Sequence, residues 1–178
     1  FAAGTRLKKL PAASGPVDSA IQLLSPSQPT DVAEGSDIPL VVKAKPGWTV
    51  QVTEGTVLLA EAEGQGETPV TLTIPKPAVG SHSYVLIARS GSEQSDPVKI
   101  PTVTVHALER ISITGKPSIE VGETANLSVS AIYGPVTVPV GGKATITANP
   151  AGIVKIEGTA IRGEQPGQAT VTAAYGGK

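Results

Sequence analysis

The chain has 178 residues and a net charge of −1, which suits one large or two small domains and gives no basic surface for nucleic acid. It lacks cysteine, so disulfides and thiolate-bound metals are excluded, and no apolar run approaches the roughly 18 residues of a membrane-spanning helix. Aromatic residues make up only 3% and charged residues 16%, beside 20 glycines and 16 prolines. Because few segments carry residues that favour helices, this composition predicts an all-β chain with a core of valine, isoleucine, leucine and alanine.

Residues 1–20 predict an extended N-terminal arm, because proline and glycine interrupt any helical pattern in them. The arm could be a flexible terminus or a tether that docks on a neighbouring subunit. In the second case we expect the assembly contacts to come from one basic and apolar group, Arg6, Leu7, Lys8, Lys9 and Leu10. The chain has no methionine, so Phe1 is not a translation start and we expect a segment to precede it.

Residues 21–106 predict a first β-sandwich. Short runs of alternating apolar and polar residues are separated by turns rich in glycine, proline, serine and aspartate. The predicted strands lie within residues 21–26, 38–45, 49–52, 57–67, 70–74, 84–89 and 98–105. Seven short strands in about 85 residues are typical of a β-sandwich.

Residues 107–178 repeat the same rhythm and predict a second sandwich. Strands are expected in "LERISITG", "SIEVGETANLSVSAIY", "KATITANP", "GIVKIEGTAIRG" and "GQATVTAAYGGK". The junction near residues 106–109 leaves only a short linker, so the sequence predicts two contiguous domains in tandem after the arm.

The second domain resembles the bacterial immunoglobulin-like group 2 family over residues 108–177. The matching motifs, in order, are "VGET" at 121–124, "VKI" at 154–156, "GTAIRG" at 158–163 and "GQATVTA" at 167–173. The chain departs from the family in the insert "GPVTVPVGG" and around Ile146, where the family has a tryptophan. Residues 25–105 are similar, more loosely, to other bacterial immunoglobulin-like repeats. This resemblance implies that Tyr84 is a tyrosine-corner-like residue, with its ring buried and its hydroxyl bonded to backbone.

The resemblance also implies one more strand after "AAYGGK". We therefore expect that the second domain lacks its last strand within these 178 residues. Without it the strand at 170–175 has an open edge, so either the natural chain continues by about ten residues or a neighbour donates a strand.

One stretch, "VGSHSYVLIARSGSEQSDPVKIPTVTV", holds His82, Ser83 and Asp96 and raises the question of a hydrolytic site. His82 and Ser83 are consecutive, so in a strand their side chains point to opposite faces and cannot easily share a proton. The only other histidine is His106, at the domain junction, and no G-x-S-x-G, Walker or H-E-x-x-H motif occurs. The sequence therefore predicts a hairpin of two strands that carries His82, Ser83 and Asp96 as surface side chains. We expect no catalytic residues and no enzyme activity.

Two other features leave alternatives open. Asp31, Glu34 and Asp37 could supply oxygens to calcium, but their spacing is not that of a calcium loop, so a polar connection between strands, with no metal and no cofactor, is the preferred interpretation. Trp48 follows a Pro-Gly turn and could either cap the core or stand exposed as a contact residue.

The resemblance implies a non-catalytic structural or adhesive module. Such domains occur on tailed-phage virions, as capsid decoration, tail or fibre proteins, and on bacterial cell surfaces. The basic arm and the small number of domains favour the virion surface. The alternatives are a fragment of a bacterial cell-surface adhesin, or accessory domains of a secreted carbohydrate-active enzyme. The expected partners are proteins of a larger assembly and, in addition, a host surface glycan; no nucleic-acid partner or membrane span is expected.

Overall fold

A computed structural model describes residues 20–178, and nearly all regular structure in this range is β-strand. The strands are β1 (Ile21–Ser25), β2 (Thr30–Ala33), β3 (Ile38–Ala44), β4 (Thr49–Glu54), β5 (Val57–Glu63), β6 (Val70–Ile74), β7 (Gly80–His82), β8 (Val85–Ser90), β9 (Glu93–Gln94), β10 (Val98–Lys99), β11 (Val103–His106), β12 (Arg110–Thr114), β13 (Thr124–Asn126), β14 (Ser128–Tyr133), β15 (Val136–Pro139), β16 (Thr145–Asn149), β17 (Val154–Glu157), β18 (Ala160–Gly163) and β19 (Thr170–Ala174). One 3-10 turn, Gly141–Lys143, completes the regular elements of residues 20–178. No helix in this range is long and apolar enough to cross a membrane.

The described residues form two compact units. Unit 1 contains residues 20–28, 38–74 and 83–101, and unit 2 contains residues 29–37, 75–82 and 102–178.

Unit 1 is built from two antiparallel sheets. One has the strand order β1-β3-β6, and the other has the order β10-β8-β4-β5 with β9 paired to β8. The central strands alternate strictly: β3 buries Ile38, Leu40, Val42 and Ala44, and β4 buries Val50 and Val52, while the residues between them face outward. Because each sheet hides one face, the buried faces form the core of a sandwich.

Unit 2 contains four small sheets. β11 lies between β2, with which it is parallel, and β7, with which it is antiparallel. The other sheets have the orders β12-β14-β15, β13-β18-β17 and β16-β19. One core cluster joins Ala33 of β2 to Val129, Ala131, Tyr133 and Val140, and a second consists of Ala125, Leu127 and Ile161.

The chain is therefore an all-β protein of two tandem immunoglobulin-like β-sandwiches, as the sequence predicts. The compact units are discontinuous, however, whereas the sequence analysis expects contiguous domains 21–106 and 107–178. The cause is local: β2, β7 and β11 form a sheet of their own, and Ala33 packs against the unit 2 core. The contiguous boundary stays a prediction, and the arm at residues 1–20 lies outside the described residues except for Ala20.

The strands that lie outside the predicted segments include β2 and β15. β2 occupies a segment that the sequence assigns to a polar connection, and its Val32 and Ala33 pair with Val105 and His106 of β11. β15 forms from the atypical "GPVTVPVGG" insert, which folds back on β14 so that Tyr133 pairs with Val136 across a Gly-Pro turn. In both cases the segment becomes a strand because it hydrogen-bonds to a neighbouring strand, which the local sequence does not predict.

Candidate functional site

His82 is the last residue of β7, and its ring forms a hydrogen bond with the backbone. Its Nε2 lies 2.7 Å from the carbonyl oxygen of Ala78. A carbonyl only accepts hydrogen bonds, so Nε2 carries the proton and donates it here. A general base in a Ser-His-Asp site needs that nitrogen free to take a proton from serine. The ring instead closes the loop from residue 78 to residue 82.

Asp96, the second polar residue of the same stretch, borders a turn that is organised by a neighbouring serine. Ser95 is 5% exposed; its Oγ accepts the backbone N–H of Ala88 at 2.9 Å and donates to the carbonyl of Asp96 at 3.0 Å. The sequence marked this segment only as a cluster of turn-forming residues. Burial of one serine hydroxyl with two partners is what holds the turn after β8 in place.

The three acidic residues weighed as calcium ligands each bind a different partner. The Nε2 of His106 lies 2.7 Å from Oδ1 of Asp31. Glu34 accepts the backbone N–H of Leu108 at 3.3 Å, and Asp37 accepts that of Lys76 at 3.2 Å. In residues 20–178 no three histidine, cysteine, aspartate or glutamate side chains form a group that could hold a metal ion. The three carboxylates thus fix strand ends and loops separately.

Two buried phenols have a raised pKa. Burial, and to a smaller degree the carboxylate of Glu54, raises the pKa of Tyr84 to about 12, and its ring is 1% exposed as the sequence predicts. Burial is also the main cause that raises the pKa of Tyr133, followed by its hydrogen bond to Tyr175 and the charge of Glu34. Both phenols stay neutral near pH 7, where they act as core residues and not as acids or bases.

Trp48 lies in the core of unit 1. It is 8% exposed, and the Nζ of Lys45 lies 5.9 Å from its ring centroid. Its backbone is tied on both sides, by its N–H to the carbonyl of Lys45 and by its carbonyl to the N–H of Gly64. The interpretation as a core cap agrees with this position, and the alternative of an exposed contact residue is wrong, because the turn folds the indole inward.

The described residues also have two surface features that expose apolar side chains. The first is the β5 edge, defined as residues 57–63, where Val57 is 59% and Leu58 49% exposed. The second is a groove of about 740 Å³ in unit 2, lined on its apolar side by Ile119, Val121, Ile153, Ile161 and Val171.

The groove of unit 2 runs beside β19, which pairs only with β16 among the described strands. The expectation of a further strand at this position stays a prediction. The five expected assembly contacts of the arm, Arg6 to Leu10, lie outside the described residues.

Comparisons with known proteins give similarities to solved structures alone. Neither a protein-family model nor a characterised protein sequence matches the chain. Among solved structures, the chain is similar to fibronectin(III)-like modules of CbhA from Clostridium thermocellum, with 22% identity, a TM-score of 0.38, and coverage of 48% of this chain and 93% of that one. It is similar to the D0-D1 domain of intimin at 14% identity and a TM-score of 0.38, covering 87% and 89% of the two chains. It is also similar to the titin domains I67-I69 at 10% identity and a TM-score of 0.36, covering 86% and 63%.

Proposed function

We propose that this chain is a non-catalytic structural module, displayed on the surface of a tailed-phage virion as a capsid-decoration, tail or fibre protein. The observation that carries the proposal is the use of its polar residues. His82 binds a backbone carbonyl, His106 binds Asp31, and Glu34 and Asp37 each accept a backbone N–H. Side chains with catalytic or metal-binding chemistry therefore build the strands and loops of the sandwiches.

The placement on a virion rests on two sequence features. One is the resemblance of residues 108–177 to the bacterial immunoglobulin-like group 2 family. The other is the sequence of the arm, whose expected contacts, Arg6 to Leu10, combine basic and apolar side chains that suit attachment to protein neighbours in a particle. A cell-surface adhesin fragment and accessory domains of a secreted carbohydrate-active enzyme, with a glycan partner, are the competing placements.

Immunogold electron microscopy of the source culture tests the placement. Antibodies against the chain are applied to cells, secreted protein and phage particles, before and after induction of phage. We expect gold on the particles and an increase on induction. Gold confined to the cell envelope contradicts the virion and supports the adhesin, whereas gold in a secreted fraction that degrades polysaccharide supports the accessory-domain placement.

Replacement of the two histidines tests the absence of catalysis. His82→Ala and His106→Ala should lower stability locally and leave the assembly function of the chain unchanged, because both rings serve structure. The measurement is turnover of ester, peptide and glycoside substrates by the wild type and each variant. A substrate whose turnover collapses in His82→Ala but persists in an equally stable Ser95→Ala control would overturn the proposal.

A further inference from the structure

The chain passes from the β2-β11-β7 sheet to the β12-β14-β15 sheet through a short segment, residues 107–109. β11 ends at His106 and β12 begins at Arg110, and both sheets belong to unit 2. The sequence predicts a linker between two domains at this place. Domains joined in this way move relative to one another by default, unless the contact between them is large and apolar. Whether residues 107–109 form a hinge therefore depends on what holds them.

Glu34, the residue after β2, holds this segment at two points. Its backbone N–H donates to the carbonyl of His106 at 2.9 Å, and its carboxylate accepts the N–H of Leu108 at 3.3 Å. The next N–H, that of Glu109, donates to the carbonyl of Ile132 in β14 at 2.8 Å. A rotation of the backbone between residues 106 and 109 would therefore break hydrogen bonds to both sheets, which makes local opening costly.

The ring of His106 fills the space between β2 and the turn that joins β14 to β15. On one side its Nε2 lies 2.7 Å from Oδ1 of Asp31. On the other side it lies against Gly134, where an added Cβ would be 2.9 Å from Nδ1 and 3.4 Å from Cγ of the ring. Glycine suits this position for two reasons: its φ is +56°, and the missing side chain leaves room for the imidazole.

Apolar contacts next to the ring join the same two sheets. Ala33 of β2 pairs with His106 in the parallel ladder, so the two side chains lie on one face of the sheet. Ala33 is 5% exposed and packs in the cluster that includes Val129 and Ala131 of β14. Leu108, in the middle of the linker, packs against this cluster as well. The linker and the β2-β11-β7 sheet therefore share a core with β14.

We propose that residues 106–109 are a rigid coupling and not a hinge, held by Glu34 and His106 and made possible by Gly134. Glu34 fixes the backbone of the linker, and the His106 ring fixes the β2-β11-β7 sheet against the β14-β15 turn. The orientation of β11 is then passed to β12 without a flexible step. The inference does not depend on the proposed function, because the contacts that carry it are the same wherever the chain is displayed.

The coupling depends on several contacts and not on one ion pair. The side chains of His106 and Asp31 are 26% and 52% exposed, so their ion pair alone contributes little. The backbone bonds of Glu34 and the ring contact with Gly134 act on the same short segment. Contacts that share partners in this way are not additive, so removing Glu34 and His106 together should open the linker more than the two single changes suggest.

Amide hydrogen exchange tests the role of Glu34. In Glu34→Ala the N–H of Leu108 should exchange about tenfold faster, because it loses a hydrogen bond to a charged group. Asp37→Ala is the matched control, since Asp37 accepts the backbone N–H of Lys76 from the same β2-β3 connection. It should speed exchange at Lys76 and leave Leu108 unchanged. Equal exchange of Leu108 in the wild type and in Glu34→Ala would contradict the role of Glu34.

A distance measurement between two spin labels tests whether the coupling is rigid. The chain has no cysteine, so labels can be attached at Ser81→Cys in β7 and Thr137→Cys in β15, both exposed positions. We expect one narrow distribution of distances, which broadens when Glu34→Ala and His106→Ala are combined. A second pair of labels, at Thr114→Cys and Thr137→Cys, lies within the β12-β14-β15 sheet and should stay narrow in every variant.

Two results would overturn the inference. A broad distribution for the first pair of labels in the otherwise unchanged chain would show that the linker is a hinge. A distribution that stays narrow in the double variant would show that the apolar core alone holds the two sheets. If the double variant does not fold, Gly134→Ala gives the same test, because its Cβ displaces the His106 ring and leaves Glu34 in place.

Discussion

Unit 1 and the β16-β19 sheet of unit 2 have the same alternation in sequence but differ in burial. In unit 1, Leu40, Val42, Val50 and Val52 are each 0% exposed. In β16 and β19 the corresponding inward residues, among them Ile146, are only half-buried, and neither strand has a buried residue. β3 and β4 each pair on both sides, whereas β16 and β19 pair only with one another among the described strands. Pairing alone does not set the burial, because β6 pairs only with β3 and its Leu72 and Ile74 are still 2% and 1% exposed. Alternation decides which face turns inward, and the side chains packed over that face decide how deeply it is buried.

Truncation of one isoleucine in each region gives the largest expected difference. Ile74 of β6 is 1% exposed, so Ile74→Ala should lower the free energy of unfolding by about 4 kcal/mol through lost burial and a cavity. Ile146→Ala should cost about 1.5 kcal/mol, because its side chain is already partly in water. Urea unfolding measures both changes, with the fluorescence of Trp48, the single tryptophan, reporting on unit 1. Equal losses would contradict the comparison, and Thr73→Ala on the outward face of β6 is the control for small effects.

Two glycines test whether the whole of unit 2 is packed less tightly than unit 1. A Cβ at Gly64 would collide with the carbonyl oxygens of Ala44 and Lys45, and one at Gly163 would collide with that of Glu120. Because backbone cannot move as a side-chain tip can, Gly64→Ala and Gly163→Ala should each destabilise by about 2 kcal/mol. Gly142→Ala meets no atom within 4 Å and should be nearly neutral.

Thermal or urea unfolding of the three glycine variants measures this. If Gly64→Ala and Gly163→Ala lower the free energy of unfolding by similar amounts, the weaker packing of unit 2 is confined to the β16-β19 sheet. If Gly163→Ala is neutral while Gly64→Ala is destabilising, the weaker packing also includes the contact between Gly163 of β18 and the loop that holds Glu120.

Alkaline pH should weaken unit 1 through Tyr84. Its folded pKa of about 12 lies above the ordinary value of 10.0, so folding favours the neutral phenol. That contribution is fully present below pH 10 and is lost as pH rises from 10 towards 12. Trp48 fluorescence during urea unfolding at several alkaline pH values measures the loss, and Tyr84→Phe should flatten it. A pH dependence that persists in Tyr84→Phe would assign the effect to another group.

The smallest expected effect is the acid sensitivity of Glu123 in unit 2. The hydrogen bond from Lys116, and then that from the backbone N–H of Glu120, lowers the pKa of Glu123. A lowered pKa stabilises the fold above about pH 4.5, and the contribution is lost as pH falls through the folded pKa. Glu123→Gln should remove a small part of the acid dependence of the unfolding midpoint, and Glu109→Gln, at an exposed position, should not.

Much of the fold could be predicted because many strands show a local alternation of apolar and polar residues. The alternation in "IPLVVKA" and "VTLTI" defines β3 and β6, and their buried residues are the expected ones. β2 could not be predicted, because "TDVA" becomes a strand only by parallel pairing with β11, more than seventy residues away along the chain. Local propensity carries no information about so distant a partner.

The candidate site was predicted less completely. The sequence excluded known catalytic motifs, but it could not show that Asp31 binds His106 or that Ser95 holds a turn, because both depend on which strands lie side by side. The sequence is compatible with two positions of Trp48 for the same reason. Only the path of the chain after Pro46 and Gly47 decides whether the indole turns inward.

Native-state hydrogen exchange on β4 and β19 tests the central claim most directly, namely that the packing over the inward face, and not alternation, sets the stability of each sheet. In a dilute monomer of this chain, residues 50–52 should exchange only through global unfolding of unit 1. Residues 170–174 should exchange at least about a hundredfold faster, a difference of about 2.7 kcal/mol in opening free energy. Exchange along β19 as slow as that along β4 would contradict the claim.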